Sequence, residues 1–553
     1  MTGWNETSEP AVNGKSLWLD AFDVSHSVDV SQDGNFFALG TDLSLRTFDK
    51  AARKLWSVDP PAPAWAVNIS QDGRLVVGAF GDGTIRWFRA DNGQELLAFF
   101  PHSDRKRWVA WTPSGYYDAA VGGEDLIGWH VNQGPDRAAD FFPVSRFRDR
   151  FYRPGVVARV LDTLDERKAV ADADAEAQRK PEVTTISKIL PPVVTVLAPA
   201  GESVFRETSV PFRITVRSPS GDQVTAVRAF VDGRPAGSAR GLVYEPEQKA
   251  TDSSTERIYT FSVAVPARDC TVAITAETRL TTSEPVAVKL RWTAAAAAPL
   301  PAKPNLYLLA IGIGAYANPA FKLDLPAKDA RDVAGAWKMQ TGGLYGKVEI
   351  KLLTHAQATK DGILDGLEWL ERQTTSADVA VLYFSGHGIT DPRTGEYFFL
   401  PYEAEMDARR KTMLPDYEVR SVLSSIPGKV LLFLDTCHSG SILGQAKGRD
   451  AADLTGLLNE LTSAESGVVV FSASTGRQQA IESPEWKNGA FTLALLEALA
   501  GKADYRDNGL YVTALESYLA RRVKELTHGL QTPVAAKPNG MPDFPVAMIV
   551  NSK

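Results

Sequence analysis

The sequence predicts a multidomain chain: an N-terminal all-β array, a middle β-sandwich and a C-terminal α/β domain whose mostly parallel sheet is flanked by helices. Three patterns carry that reading. In the first part, short alternating strands around a turn return twice, the second copy starting 39 residues after the first and the third 42 residues later. Between Leu190 and Trp292, alternating strands follow one another with turn residues at short intervals. After Lys303, continuous apolar runs alternate with segments of helical period, as in a parallel sheet covered on both faces. A chain of 553 residues is long enough for three separate cores.

The repeats read VDVSQDGNFFALG from Val28, VNISQDGRLVVGA from Val67 and, more degenerate, VAWTPSGYYDAAV from Val109. With TIRWF, Thr84 to Phe88, as a later strand of the second copy, they resemble WD40-type propeller blades over residues 15–132, and the domain is expected to span 15–150. Three blades are fewer than the four to eight of a closed propeller, so closure has to come from degenerate blades, another domain or another chain. No catalytic cluster accompanies them, which points to a recognition or docking surface. Residues 151–188 are polar and alanine-rich and predict a helix followed by an exposed linker. The strands PFRITVRS, AVRAFVDG, YTFSVAV and TVAITAET predict an immunoglobulin-like β-sandwich over 189–293, with Cys270, just before the last of them, as buried apolar filler. AAAAAPLPAKP, 294–304, reads as an interdomain linker, and 305–553 as the α/β domain.

Composition narrows the function classes. With 60 Lys+Arg against 67 Asp+Glu the formal charge is -7, which gives no general attraction to nucleic acid or to an anionic membrane, so neither is an expected partner. The two cysteines, Cys270 and Cys437, form no CxxC pattern, which argues against a disulfide framework or a zinc ribbon and fits a reducing compartment. The start MTGWNETSEPAVNGKS lacks the basic and apolar segments of a secretory signal, and no uncharged run of about 18 apolar residues follows. The expectation is a soluble, cytoplasmic protein without a cofactor.

In the C-terminal domain the expected strands are NLYLLAIGI, VEIKLL, DVAVLYFS, KVLLFLD and GVVVFSAS, with helices near Ala327 to Met339, Lys360 to Arg372, Asp416 to Ile426 and Gly489 to Leu499. Ligands of such sheets lie at the C-terminal strand ends. GIGAYA, Gly312 to Ala317, superficially matches a dinucleotide fingerprint, with Asp332 about 20 residues further on. Asn318-Pro319 and FKLDLP keep the backbone non-helical until about Ala327, however, so no helix N-terminus can face a pyrophosphate there. These glycines are expected instead to permit a tight exit from the first strand.

Two strands end abruptly in small and reactive residues: DVAVLYFSGHG, Asp378 to Gly388, and KVLLFLDTCHSG, Lys429 to Gly440. A parallel sheet would put His387 and Cys437 on one rim although 50 residues separate them, where the imidazole can activate the thiol for acyl transfer. Gly386 and Gly388 would let a substrate backbone approach, and the amides of Gly388 and Cys437 are candidate oxyanion donors. Adjacent residues of an extended chain point apart, which makes His438 structural rather than the base. A zinc site on Cys437, His438 and His387 would need a further well-placed ligand, and the other histidines offer no ligand spacing, so no metal is expected at this rim. No EF-hand-like loop occurs, and calcium regulation is left open.

SGHG followed by DTCHSG resembles the caspase-like cysteine peptidases, specifically the bacterial members of the metacaspase and paracaspase branch. The resemblance runs over residues 305–548, including YLLAIGIGAY near the start and NGAFTLALLEAL, Asn488 to Leu499, near the end. It implies a caspase-like fold, a dyad of His387 and Cys437, and peptide-bond cleavage, with WD40-like and immunoglobulin-like modules as familiar companions. It also implies an S1 pocket. Asp435 stands two positions before the cysteine, where true caspases carry glutamine, and Asp329 in LDLPAKDARDV matches a second S1 acid. Two carboxylates sharing a pocket repel each other until a cation arrives, so a basic P1 residue is expected, arginine above lysine because its fork can use both acids. Paracaspases add a third acid, at whose place this chain has Gln479.

Self-processing is expected in SILGQAKGRDAADLTGLLNE, at Lys447 or Arg449, with MDARRKTML, holding Arg409, Arg410 and Lys411, as a second place. The intact chain would then be a low-activity form, gated by its N-terminal modules or by a loop cut. Resemblance alone points to bacterial stress, cell-death or antiviral defence signalling. Expected partners are protein substrates with exposed Arg or Lys, and an upstream activating protease or a regulatory protein bound by the N-terminal domains. The competing reading is a catalytically silent caspase-like scaffold that recruits partners through those domains; the presence of His387 and Cys437 together with the two acids speaks against it.

Overall fold

The computed structural model describes residues 4–12, 14–135, 138–179, 185–236, 256–293, 303–391, 396–438, 454–463, 466–474, 481–483, 485–538 and 541–549, with the backbone alone at Cys437, His438 and Glu482. The chain divides into two compact units, Met1–Val183 and Thr184–Lys553.

In the first unit the repeats fold as antiparallel meanders. The first copy forms a four-stranded sheet from Ser25–Val30, Phe36–Thr41, Leu45–Asp49 and Lys54–Val58. The second supplies Ala64–Ile69, Leu75–Phe80, Ile85–Arg89 and Glu95–Pro101. Two strands of the third copy, Trp108–Trp111 and Tyr117–Ala119, extend that same sheet to six, pairing from Ala98↔Trp111 to Pro101↔Trp108. The third copy therefore lies on its neighbour's edge instead of standing apart as a blade. Its turn is nonetheless built like the other two. Gly34, Gly73 and Gly115 all take positive φ, and their amides donate to the carbonyls of Ser31, Ser70 and Thr112 at 2.8 Å. In the first two copies the serine hydroxyl also donates to Asp33 or Asp72 at 2.6 Å, so the motif locks its own turn.

The two sheets bury Leu45, Trp56, Val67, Val76 and Phe88 between them. Where a single helix is expected after residue 151, two helices form, Pro154–Thr163 and Glu166–Glu176. Leu164 turns the chain at φ 53° and the Asp165 side chain caps the second helix. Small residues let the pair lie close on the six-stranded sheet: Val156, Val160, Ala169 and Ala173 cover Leu96, Leu97 and Ala110. The alanine-rich segment is thus cover for a sheet face, not a spacer.

The second unit opens with the sandwich. Val193–Ala198, Ser209–Arg217 and Glu256–Ala264 form one sheet; Ser203–Phe205, Val286–Trp292, Cys270–Glu277, Ala226–Val231 and Arg234–Pro235 form the other, in that spatial order. Burial alternates along Ser209–Arg217, so that Val210, Phe212, Ile214 and Val216 enter the core with Val227, Val272, Ile274 and Leu290. Cys270 joins that core, where burial pushes its thiol up to about 11 and away from reactivity.

The main path of the eight-stranded C-terminal sheet runs through β1 (Leu306–Gly312), β2 (Val348–Thr354), β3 (Val379–Thr390), β4 (Lys429–His438), β5 (Val468–Ser472) and β6 (Val534–Ala536). Along that path the order is β2-β1-β3-β4-β5-β6, parallel except for β6, and the short strands Tyr397–Phe399 and Leu414–Pro415 add antiparallel to the end of β3. Helices α1 (Pro326–Lys338), α2 (Lys360–Gln373), α3 (Asp416–Ser425) and α4 (Ala490–Glu497) match the four expected ones to within a few residues. A further helix, α5 (Val512–Leu526), and β6 lie outside the expected set. On one face Val333 and Trp337 of α1, Phe491 and Leu495 of α4 and Leu515 of α5 pack with Leu308, Val381, Phe433 and Phe471 of the sheet. Gly366 of α2 lies against Leu309 on the other.

A buried arginine joins the sandwich to this sheet. Arg234 follows the Asp232-Gly233 turn and is 5% exposed. Its Nη1 donates to the carbonyls of Ser466 and Gly467 at 2.9 and 3.0 Å, and its Nη2 to those of Leu423, at 3.0 Å, and Ile426. These carbonyls sit at the C-terminal end of α3 and just ahead of β5, where unpaired peptide oxygens carry negative partial charge. Desolvation pushes the guanidinium down to about 9. The backbones approach closely as well, since a Cβ on Gly467 would come within 2.0 Å of the Gly233 carbonyl oxygen.

Candidate active site

From β1 the chain crosses to β2 on one side and later returns to β3 on the other, which makes the C-terminal ends of β1 and β3 the crevice of the sheet. β3 and β4 pair in parallel register through Ser385↔Asp435, Gly386↔Thr436, His387↔Cys437 and Gly388↔His438. Two strand ends 50 residues apart in sequence are thus direct neighbours.

The segment after β1 encloses His387. The rings of Tyr316 and Phe321 lie 5.2 and 6.3 Å from the imidazole, and Tyr316 Oη accepts the His387 backbone N–H at 2.8 Å. Imidazole Nε2 is 2.9 Å from the Phe321 carbonyl oxygen. A carbonyl only accepts, so Nε2 carries the proton and Nδ1 the lone pair. Burial lowers this histidine to about 4, which keeps the ring neutral at ordinary pH.

The glycines around the histidine serve the protein's own tyrosines. A Cβ on Gly388 would fall 1.7 Å from Tyr397 Oη, and one on Gly386, at φ 156°, would fall 2.9 Å from Tyr316 Oη. Likewise Gly312 and Gly314 do not turn the chain at positive φ; they let the backbone at Pro326 and Leu323 approach to 2.2 and 2.6 Å of a would-be Cβ. The expected tight exit from β1 is in fact a close approach of the segment leading into α1.

The two expected acids come together. Asp329, in the first turn of α1, and Asp435, in β4, are 1% and 5% exposed. Their Oδ2 atoms lie 3.5 and 3.0 Å from the point a Cβ on Gly489 would occupy. Asp329 accepts from Asn488 Nδ2 at 2.7 Å and from the Gly489 amide at 3.3 Å; Asp435 accepts from the Thr492 hydroxyl at 2.6 Å. Lys328 turns to Asp332 and to Asn488 Oδ1. Desolvation raises Asp435 to about 6. Asn488, Gly489 and Thr492 are site residues that the sequence reading used only as part of a matching string. The usable signal was a single threonine within the apolar run AFTLALL.

Of the expected processing residues, Arg409 is held by Asp391 at 3.2 Å and Arg410 is exposed, both in the short helix Arg409–Thr412. Lys447, Arg449 and Gln479 lie outside the described residues. Among the described residues, no three His, Cys, Asp or Glu side chains gather as a metal site, and no helix is long and apolar enough to cross a membrane.

A family model for the caspase domain matches residues 307–539, the stretch that holds the sheet, His387, Cys437 and both acids. That part of the chain is a caspase-family domain. Metacaspase-7 of Arabidopsis thaliana is 28% identical over 97 residues, which cover 17% of this chain and 24% of that protein. Among solved structures, a Geobacter sulfurreducens protein shares 21% identity over 43% of this chain and 95% of its own, with a TM-score of 0.33. BamB of Moraxella catarrhalis shares 21% identity over 19% of this chain and 37% of its own, and the WD40 repeats of RRP9 share 16% over 19% and 42%, each with a TM-score of 0.15. The caspase domain thus accounts for the α/β sheet, while the β-rich N-terminal unit and the sandwich precede it in the chain.

Proposed function

We propose that the caspase domain is a cysteine endopeptidase that cleaves proteins after arginine and, less readily, lysine. The observation that carries this is the pairing His387↔Cys437 across adjacent parallel strands, beside two buried acids. In the proposed mechanism the Cys437 thiol passes its proton to Nδ1 of His387 and the sulfur attacks the scissile carbonyl carbon. The carbonyl oxygen takes up the negative charge under the amides of Gly388 and Cys437. Collapse breaks the C–N bond, the leaving amine takes the proton from the imidazolium, and a thioester remains. Water, losing its proton to the same imidazole, attacks the thioester and frees the acid and the thiol.

Specificity follows from charge. Asp329 and Asp435 share one buried corner around Gly489, and bringing two carboxylates together in a dry site favours a cationic guest over any neutral one. Fluorogenic peptides with Arg, Lys, Asp or Leu at P1 test the reading. Cleavage in the order Arg, Lys, then the others is expected; turnover of the Asp peptide overturns the pocket argument. No turnover of any of them, even after limited proteolysis, favours the silent scaffold. Restraint of the intact chain by its N-terminal modules or by cleavage at Lys447, Arg449, Arg409 or Arg410 belongs to the same proposal, and fragments common to wild type and Cys437→Ala count against self-processing. A role in stress, cell-death or defence signalling, with protein substrates bearing exposed Arg or Lys and a regulator bound by the N-terminal unit, rests on the resemblance to metacaspases alone.

A further inference from the structure

We propose that Thr492 and Tyr383 are positioning residues for P1 recognition: a one-way chain of buried hydroxyls that orients Asp435 and keeps it ready for a basic side chain. The inference rests on the reading of Asp435 as an S1 acid and adds two residues outside the proposed catalytic and S1 set.

Thr492 Oγ1 lies 2.6 Å from Asp435 Oδ2 and 2.6 Å from Tyr383 Oη. A carboxylate can only accept, so the single hydroxyl proton of Thr492 is committed to Asp435, and Tyr383 must then donate to Thr492. The direction of every bond in the chain is fixed by that one requirement. Three elements meet here, α4 through Thr492, β3 through Tyr383 and β4 through Asp435, and both hydroxyl-bearing residues are 0% exposed. The Thr492 backbone amide also bonds to Asp435, so two donors on one residue hold the carboxylate in place.

Such a device is needed because of what surrounds the acid. Among the described residues, the ionisable groups facing Asp435 are Asp329 from α1 and Tyr383 from β3, with His387 two register steps further along the rim and Lys328 and Asp332 beyond Asn488. Left with Asp329 for company and no donors, a buried carboxylate takes up a proton and can no longer pair with a cation. The charge-assisted bond from Thr492 opposes that, and it is stronger in a dry site than in water. Tyr383 is a permanent donor, because burial and the two nearby acids hold its own proton in place, and Ser385 also hydrogen-bonds the phenol.

The test uses the full chain with Thr492→Val, Thr492→Ser, Tyr383→Phe and Asp435→Asn, and two readouts: kcat and KM on an Arg-P1 fluorogenic peptide across pH, and the thermal midpoint across pH, which needs no turnover. For Thr492→Val we expect kcat/KM at pH 7 to fall at least tenfold, mainly through KM, and the acid limb to move to higher pH. Its midpoint should drop further below wild type at pH 8 than at pH 5, where Asp435 is protonated. Thr492→Ser should restore both, and Tyr383→Phe should shift both in the same direction by less. In the Asp435→Asn background the pH dependence of the Thr492→Val effect should vanish. A midpoint difference equal at pH 5 and pH 8, with kcat and KM moving alike at every pH, makes Thr492 a packing residue and overturns the proposal. Loss of Arg preference in Asp435→Asn with an inert Thr492→Val overturns the hydroxyl chain alone. Unchanged Arg preference in Asp435→Asn overturns the S1 reading itself.

Discussion

At the N-terminal ends of the caspase-domain strands the chain buries a cation among carbonyl oxygens; at their C-terminal ends it buries carboxylates among hydroxyls and amides. Arg234, brought in by the sandwich, meets four peptide oxygens ahead of β4 and β5. Its charge is absorbed by dipoles the chain itself provides, and the result is a fixed joint between two folds. At the C-terminal ends of β3 and β4 the polarity is reversed: Asp435 is raised to about 6, and Lys328 turns to Asp332 and Asn488. Charge at the joint is completed from within, whereas two buried carboxylates side by side stay costly. The same β4 strand runs from one end to the other, so substitutions at its two ends separate the two cases.

The largest effect is expected at the rim. His387→Ala should lower kcat/KM on the Arg peptide by about 100-fold or more while moving the thermal midpoint little; turnover within tenfold of wild type would remove the imidazole from the mechanism. At the opposite end of the strands Arg234→Met should do the reverse. Four carbonyls lose their donors, costing about 3 kcal/mol, and hydrogen exchange should show amides near 423–428 and 466–468 losing protection while P1 preference is kept. Unchanged exchange in both stretches would mean that Arg234 is not the joint.

Asp435→Asn should sharpen the contrast by stabilising the protein while weakening recognition. A folded-state acid raised from 3.8 to about 6 contributes stability that is fully present below the unfolded value and lost as pH rises through about 6. The asparagine variant should therefore gain about 1 to 3 kcal/mol at pH 8 and little at pH 4, as chemical denaturation at the two pH values would reveal; equal gains at both would deny the burial cost. Because His387 stays neutral down to about 4, the acid limb of wild-type activity should lie nearer 6. The smallest effect belongs to Tyr316→Phe, which orphans the buried His387 N–H, at a cost of about 1 to 2 kcal/mol. It should lower kcat severalfold with KM nearly unchanged, and a KM effect would instead link Tyr316 to substrate.

Much of this architecture was legible in the chain. Buried parallel strands need continuous apolar runs, so β1 to β5 announce themselves in NLYLLAIGI, VEIKLL, DVAVLYFS, KVLLFLD and GVVVFSAS, and an abrupt break into SGHG or DTCHSG marks a rim. The register His387↔Cys437 follows once those strands are neighbours. The third repeat was legible as a turn but not as an edge extension, because strand pairing depends on which sheet offers a free edge.

By itself the sequence determined the strand runs, the four helices α1 to α4, and the candidate site residues at two strand ends, since each is a matter of local periodicity or of chemistry at a break. Only the tertiary structure decided what Arg234, Asn488 and Thr492 bond to. Arg234 sits in a turn sequence, DGRP, that reads as solvated charge, and it is buried only because carbonyls some 190 to 230 residues away converge on it. Thr492 looks like filler in an apolar run until β4 supplies the carboxylate that accepts its hydrogen bond. A polar group's role is set by the partner it meets on burial, and no local pattern records a partner that distant in the chain.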